Sequence, residues 1–176
     1  MKSVQGKNVL VTGAAMGMGR LFAERAIAEG AAHVVLWDLQ EERLNQTLAE
    51  LADAAAAHGV TLSGFIVDVS DLDDVKVSAD AVRADIGHVD VLVNNAGVVR
   101  GNTYFWESDS TKDTKLTVDV NTLAPMYVAR EFLPGMIANS ADCRVLNLSS
   151  AAGFTPNPRM AVYAASKWAV IGWSDS

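Results

Sequence analysis

Residues 7–20 read KNVLVTGAAMGMGR, a short β-branched run that breaks into a glycine-punctuated turn and resumes with helical spacing. The run KNVLVT predicts a strand, and the spacing after the turn predicts a helix from about Met18 to Glu29. A strand that turns sharply into a helix gathers bare backbone N–H groups and the positive end of the helix dipole at one spot, which suits a pyrophosphate. Gly13, Gly17 and Gly19 let a phosphate approach closely, with Met16 and Met18 completing the contact surface. The spacing G-x-x-x-G-x-G is one residue longer than the commonest dinucleotide fingerprint, and the P-loop pattern fails because no Lys-Ser/Thr pair follows the last glycine.

Outward from this turn the same alternation repeats. HVVLWD is followed by an alanine-rich helix to about His58, whose end at Ala54–Ala57 is stopped by Gly59. TLSGFIVDV is followed by a helix over Leu72–Ile86, VDVLVNN by an irregular stretch and a long helix, and CRVLNLSS by the helix that carries Tyr163. Strands regularly separated by helices imply right-handed crossovers, and near-continuous apolar strands imply a parallel sheet covered on both faces. The expectation is a doubly wound α/β fold in one domain over residues 1–176. Pro125 and Pro134 predict a kink or break between Asp109 and Asn139. In the last helix, Val162, Ala165, Ala169 and Trp173 are expected to share one face, and the chain stops at Ser176 as though in mid-architecture.

Composition narrows the function. Fifty per cent hydrophobic and 20% charged residues are ordinary for a globular domain, and a formal charge of −7 without a basic cluster argues against nucleic acid or an anionic membrane as partner. A single cysteine, Cys143, allows neither an internal disulfide nor a cysteine metal site. The histidines His33, His58 and His88 follow no ligand spacing and read as loop or helix-end residues, so no metal is expected. Neither a signal peptide nor a membrane-spanning run is present, and a soluble, cytoplasmic protein is expected.

Asp38 ends the second strand nineteen residues beyond Gly19, where a dinucleotide fold wants a carboxylate for the adenosine ribose. A 2′-phosphate there would meet like charge, and no Arg or Lys stands at Met16 or Leu39, so NAD is expected over NADP. The alternative is that Asp38 merely caps the following helix.

Near the end, MAVYAASKWAVIGW sets Tyr163 and Lys167 four residues apart, side by side on a helix. A free tyrosine titrates near pH 10, so phenolate near neutrality requires a shift of roughly three units, about 4 kcal/mol. Burial acts in the wrong direction. An ammonium roughly 6 Å away at an effective dielectric near 20 supplies on the order of 3 kcal/mol, and a positive nicotinamide ring is expected to supply the rest.

TGAAMGMG, NNAG at 94–97, LNLSSAAG at 146–153 and YAASK at 163–167 occur in that order. Together they resemble the short-chain dehydrogenase/reductase family, in its compact single-domain branch with a Rossmann-like sheet. The resemblance implies that Tyr163 is the catalytic acid/base, that Lys167 is its electrostatic partner and a ligand of the nicotinamide ribose, and that Ser150, rather than Ser149, orients the substrate oxygen. It implies further that Asn121 holds a water in a proton relay to the lysine, that Asp68 and Val69 contact the adenine ring, and that Asn95, Ala96 and Gly97 line the cofactor cleft. The stretch VNTLAPMYVAREFLPGMIANS looks like the branch with retinol and 17β-hydroxysteroid dehydrogenases, which implies a bulky apolar secondary or allylic alcohol; a polyol, sugar or small aliphatic alcohol stays open. Members commonly assemble as dimers or tetramers through the long helix and the tyrosine helix, with Trp168 or Trp173 as anchor if outward-facing. Intact members run to roughly 250 residues, so two further strands and a substrate lid are expected beyond Ser176, and turnover by residues 1–176 alone is expected to be impaired. A non-catalytic NAD-sensing module is the alternative. A nucleotide-sugar epimerase fits poorly, because Ala15 stands where its middle glycine belongs.

Overall fold

The computed structural model describes residues 3–139 and 142–176. Five strands, Asn8–Thr12 (β1), His33–Asp38 (β2), Thr61–Ile66 (β3), Val91–Asn94 (β4) and Arg144–Asn147 (β5), form one parallel sheet in the order β3-β2-β1-β4-β5. The helices Gly17–Ala28 (α1), Glu41–Ala57 (α2) and Leu72–Ile86 (α3) connect the first four strands. A helical run then leads through Leu116–Val118 (α4) and Ala124–Asn139 (α5) to β5, and Ala161–Ser174 (α6) follows.

The central strands β2, β1 and β4 are buried on both sides, as their near-continuous hydrophobicity requires, while the edge strands β3 and β5 are only partly covered. On one face Val9, Val11, Val34 and Leu36 pack with Ala23 and Ile27 of α1 and Leu44 and Leu51 of α2. On the other, Leu10, Val35, Trp37 and Leu92 pack with Val75, Ala79 and Val82 of α3 and Val128 and Phe132 of α5. Leu10 and Leu36 are fully shielded from solvent, and truncating either to Ala would cost about 2–5 kcal/mol. β2 and β3 lie to one side of β1 while β4 and β5 lie on the other. The loops after β1 and β4 therefore diverge, and a crevice opens at the carboxyl ends of the strands at that switch point.

Helix starts differ in a way that matters to this crevice. Asp71 caps α3 by accepting from the Asp73 and Asp74 N–H groups at 2.9 and 3.3 Å. In contrast, α1 begins after an extended Met16 with no side-chain cap and no acidic residue in its first turn, so its N-terminal donors keep their pull on an anion.

Three expectations need correction. The break near Pro125 takes the form of π-helical turns, at Ser110–Lys115 and Asp119–Leu123, and the Ala124 N–H donates to the Asp119 carbonyl five residues back. Pro125 has no N–H for the Asn121 carbonyl, which removes the ordinary helical bond at that point; Pro134, by contrast, sits inside α5, which continues to Asn139. The buried positions of α6 are Ala164, Ser166, Lys167 and Val170, whereas Ala165 and Ala169 are exposed. Hydropathy misleads there because hydrogen bonds turn polar side chains inward. His33 opens β2, where its Nε2 lies 2.9 Å from the Ser63 hydroxyl, in place of the expected loop or helix end.

Candidate active site

The glycine turn is fixed by its neighbours. Gly13 and Gly17 adopt φ of +63° and +56°, the left-handed region that other residues enter at a cost. A Cβ on Gly19 would stand 2.1 Å from the Gly13 carbonyl oxygen, so only glycine permits this helix to start so close to the strand. The Asn95 side-chain amide donates to the Thr12 and Gly13 carbonyls at 2.9 and 3.0 Å, which ties the loop after β4 to the turn after β1. Thr12, 2% exposed, completes the clamp by accepting from the Asn95 and Ala96 N–H groups at 3.1 and 3.0 Å. Sequence reading missed Thr12; the available signal was one hydroxyl ending an otherwise apolar strand.

Asp38 holds the same turn from the other side. Its carboxylate accepts from the Ala15 and Gln40 N–H groups, each at 2.9 Å, while the Thr47 hydroxyl donates to the Ala15 carbonyl at 2.8 Å. The N-cap of α2 is Gln40, so Asp38 orders the approach to that helix without being its cap. From here a cleft of about 700 Å³ runs along the switch point, lined by Gly13, Met16, Met18, Asp38, Asp68 and Val69 and reaching Asn95, Ala96 and Gly97. The Asp68 carboxylate is steadied by the Ser70 N–H and hydroxyl at 2.9 and 2.6 Å. Arg100 lines the cleft, and the fold also brings Arg43 beside it, with Nη1 3.0 Å from the Met16 sulfur.

At the other end of the cleft, Lys167 is 5% exposed and its ammonium donates to the Leu148 carbonyl at 2.8 Å. Its Nζ stands 5.9 Å from the centre of the Tyr163 ring, and burial pushes its titration below the ordinary 10.5. Gly97 floors this region: a Cβ there would meet Asn121 Oδ1 at 3.3 Å and Lys167 Nζ at 3.5 Å.

Asn121, 1% exposed, is wholly engaged with its surroundings. It accepts from the Val98 N–H at 2.8 Å and donates to the Val98 carbonyl at 2.9 Å and to Ser166 Oγ at 3.1 Å. Ser166 in turn donates to the Tyr163 carbonyl at 2.7 Å. Asn121 thus locks the loop after β4 to the helix carrying Tyr163 and Lys167.

The two serines after β5 differ in what they have left to offer. Ser149 Oγ donates to the Lys167 carbonyl at 2.9 Å, which spends its proton. Ser150 Oγ only accepts, from the Ala152 N–H at 3.2 Å, and keeps its hydroxyl proton for another acceptor.

The residues fit a dinucleotide on structural grounds: an uncapped helix start, open space where a Cβ on Gly17 would point, and a partly committed carboxylate at the opposite end of the turn. No group of three or more His, Cys, Asp or Glu suited to a metal occurs among the described residues.

The chain matches the short chain dehydrogenase family over residues 7–176. Human estradiol 17-beta-dehydrogenase 11 is 38% identical over 174 residues, 98% of this chain and 55% of that protein. A 2-dehydro-3-deoxy-L-rhamnonate dehydrogenase (NAD(+)) from a Sphingomonas strain is 39% identical over 171 residues, 97% of this chain and 64% of that protein. Among solved structures, a short chain dehydrogenase/reductase from Burkholderia phymatum in complex with NAD superposes with a TM-score of 0.90 at 35% identity, covering 99% of this chain and 60% of that one. A metagenomic short-chain oxidoreductase in complex with NADP gives 0.87 at 34% identity, covering 98% and 74%. The chain therefore spans between about half and three quarters of the proteins it matches.

Proposed function

The chain belongs to the short-chain dehydrogenase/reductase family, and from that premise we propose that it is the dinucleotide-binding domain of an NAD(H)-dependent oxidoreductase that interconverts a secondary or allylic alcohol and its carbonyl compound. The observation that carries this reading is the buried Lys167 ammonium, held by the Leu148 carbonyl beside Gly97 and 5.9 Å from the Tyr163 ring. A buried cation one helical turn from a phenol has little structural use and a clear chemical one, since it favours the phenolate.

In this reading the Gly13–Gly19 turn, with Met16, Gly17 and Met18, holds the pyrophosphate, and Asp38 accepts from the adenosine ribose. Asp68 and Val69 border the adenine. Asn95, Ala96 and Gly97 line the nicotinamide end, where Tyr163 and Lys167 meet the second ribose. The dinucleotide, when bound, takes up or returns the hydride. In oxidation Tyr163 as phenolate removes the proton of the substrate hydroxyl, while the free hydroxyl proton of Ser150 is donated to the substrate oxygen and sets its position. In reduction Tyr163 donates the proton and Ser150 stabilises the developing negative charge on oxygen. Lys167 maintains positive charge beside the phenol throughout. Asn121 keeps the Tyr163 helix in register with Val98, and its backbone carbonyl, which Pro125 cannot engage, is the group suited to hold a water on the way to Lys167.

NAD is favoured over NADP because Asp38 would face a 2′-phosphate with like charge. A bulky apolar substrate is favoured by the similarity to an estradiol dehydrogenase, against the sugar acid named for the bacterial relative. The same proposal includes a homo-oligomer, dimer or tetramer, paired through α5 and α6, where Ile137 and Trp168 are exposed by 78% and 50%. It also includes a cytoplasmic location; no helix among the described residues is long and apolar enough to cross a membrane.

The test is a screen of the full-length protein with NAD against steroid, retinoid, polyol and short-chain alcohols, read as NADH absorbance. Turnover of one class that Tyr163→Phe abolishes is the expected result. Tight NADH binding with no turnover of any alcohol or carbonyl would leave the sensor reading in its place.

A further inference from the structure

We propose that Met16 is a redox-modification site, at which oxidation to the sulfoxide, captured by Arg43 and Gln40, weakens dinucleotide binding. The proposal rests on the dinucleotide reading of the cleft. Among the described methionines, Met16 and Met18 are 49% and 59% exposed, whereas Met126 and Met160 are half-buried and Met136 is 2% exposed. Thioether oxidation follows exposure, so the two methionines of the glycine turn are the susceptible ones. Met16 differs from Met18 in what surrounds its sulfur. Arg43 Nη1 stands 3.0 Å from it and the Gln40 amide nitrogen 4.0 Å.

A thioether is a weak acceptor, and two N–H donors converging on it are poorly matched. In the reaction with hydrogen peroxide the sulfur lone pair attacks one peroxide oxygen, an S–O bond forms and the O–O bond breaks. Sulfur gives up an electron pair to the peroxide, and the departing hydroxide takes the proton of the transferred oxygen and leaves as water. The new oxygen carries partial negative charge and is a strong acceptor, so a guanidinium already beside the sulfur turns the weak contact into a charge-assisted hydrogen bond. Met16, Asp38 and Gln40 all line the cleft. An oxygen fixed there stands at the edge of the glycine turn, adds to the negative charge of Asp38, and puts a polar group in place of an apolar surface where the pyrophosphate enters.

The experiment exposes the full-length protein to dilute hydrogen peroxide, stops the reaction with catalase, maps added oxygen by peptide mass spectrometry and titrates NADH by calorimetry. Oxygen should appear on Met16 well before Met136, with NADH bound roughly tenfold more weakly. Methionine sulfoxide reductases for both epimers should restore the untreated constant. Each variant is compared with its own untreated form. Met16→Leu should show no loss on oxidation, Met18→Leu should show the full loss, and Arg43→Ala should show a loss of about threefold or less. Oxidised Met16 with unchanged NADH affinity, an equal loss in Met16→Leu, protection by Met18→Leu, or a full loss in Arg43→Ala overturns the proposal while leaving the dinucleotide reading intact. Untreated protein that does not bind NADH overturns that reading and the proposal together.

Discussion

Replacing Gly19 and Gly17 separately by alanine tests the construction of the phosphate turn, because the two glycines are required for different reasons. A Cβ at Gly19 would lie 2.1 Å from the Gly13 carbonyl oxygen and 2.5 Å from Asn95 Nδ2, against ordinary contacts of 3.4 Å or more. The carbonyl would have to retreat by more than an ångström. It is backbone, and it is held by the Asn95 amide at 3.0 Å, so retreat breaks the clamp between the two loops. Overpacking of this kind costs about 1–3 kcal/mol, and leaving the clamp unsatisfied adds about 1–3 kcal/mol. A loss of roughly 2–6 kcal/mol is a large share of the 5–15 kcal/mol that stabilises a typical domain. Gly17 is the opposite case: nothing lies within 4 Å of its absent Cβ, and only the φ of +56° resists substitution. That strain is worth about 1–2 kcal/mol. Urea unfolding followed by tryptophan fluorescence, with NADH titration alongside, separates the two. Gly19→Ala should lose roughly 2–6 kcal/mol of stability, whereas Gly17→Ala should stay largely folded and lose NADH affinity, because the added methyl covers the bare turn. If Gly19→Ala unfolds within about 0.5 kcal/mol of wild type, or Gly17→Ala proves equally damaging, the account of the turn is wrong.

Tyr163→Phe should abolish turnover while NADH binding persists, and residual catalysis above background would remove the phenol from the mechanism. Lys167 supplies a stability prediction with a definite sign. Its folded titration lies below 10.5, so between the two values the unfolded chain binds more protons and stability rises with pH. Lys167→Met should flatten that slope in urea midpoints measured from neutral to alkaline pH, and an unchanged slope would show that the amine is not shielded. Asn121→Leu removes bonds to the Val98 N–H, the Val98 carbonyl and Ser166 and leaves buried partners unmatched. It should cost about 2–4 kcal/mol in thermal unfolding, and a variant as stable as wild type would mean the clamp is dispensable.

Much of the fold was legible because its signals are local. Each expected run, from KNVLVT to CRVLNLSS, became a strand that starts within two residues of expectation, although β3 and β5 each end three residues sooner, since strand and helix periods are read from neighbours in the chain. The glycine turn, the carboxylate nineteen residues beyond it and the Tyr163–Lys167 spacing were legible for the same reason. The buried face of α6 was not. Ser166 and Lys167 point inward because partners forty-five and nineteen residues away, Asn121 and Leu148, accept or supply hydrogen bonds there, and hydropathy carries no record of such partners. Arg43 was passed over likewise, because it lies twenty-seven residues from the Met16 whose sulfur it meets.

Residue order alone sets the alternation of strands and helices, the parallel sheet and the side chains available for chemistry, because each follows from periodicity or residue type over short spans. Which of those side chains retain a free donor is settled by how the folded segments meet. Ser149 is spent on the Lys167 carbonyl and Ser150 is not, Asn95 is a clamp, and Lys167 is buried against Leu148. Those assignments depend on which polar atoms find partners when distant segments close together, and a hydrogen bond between distant segments has no period along the chain.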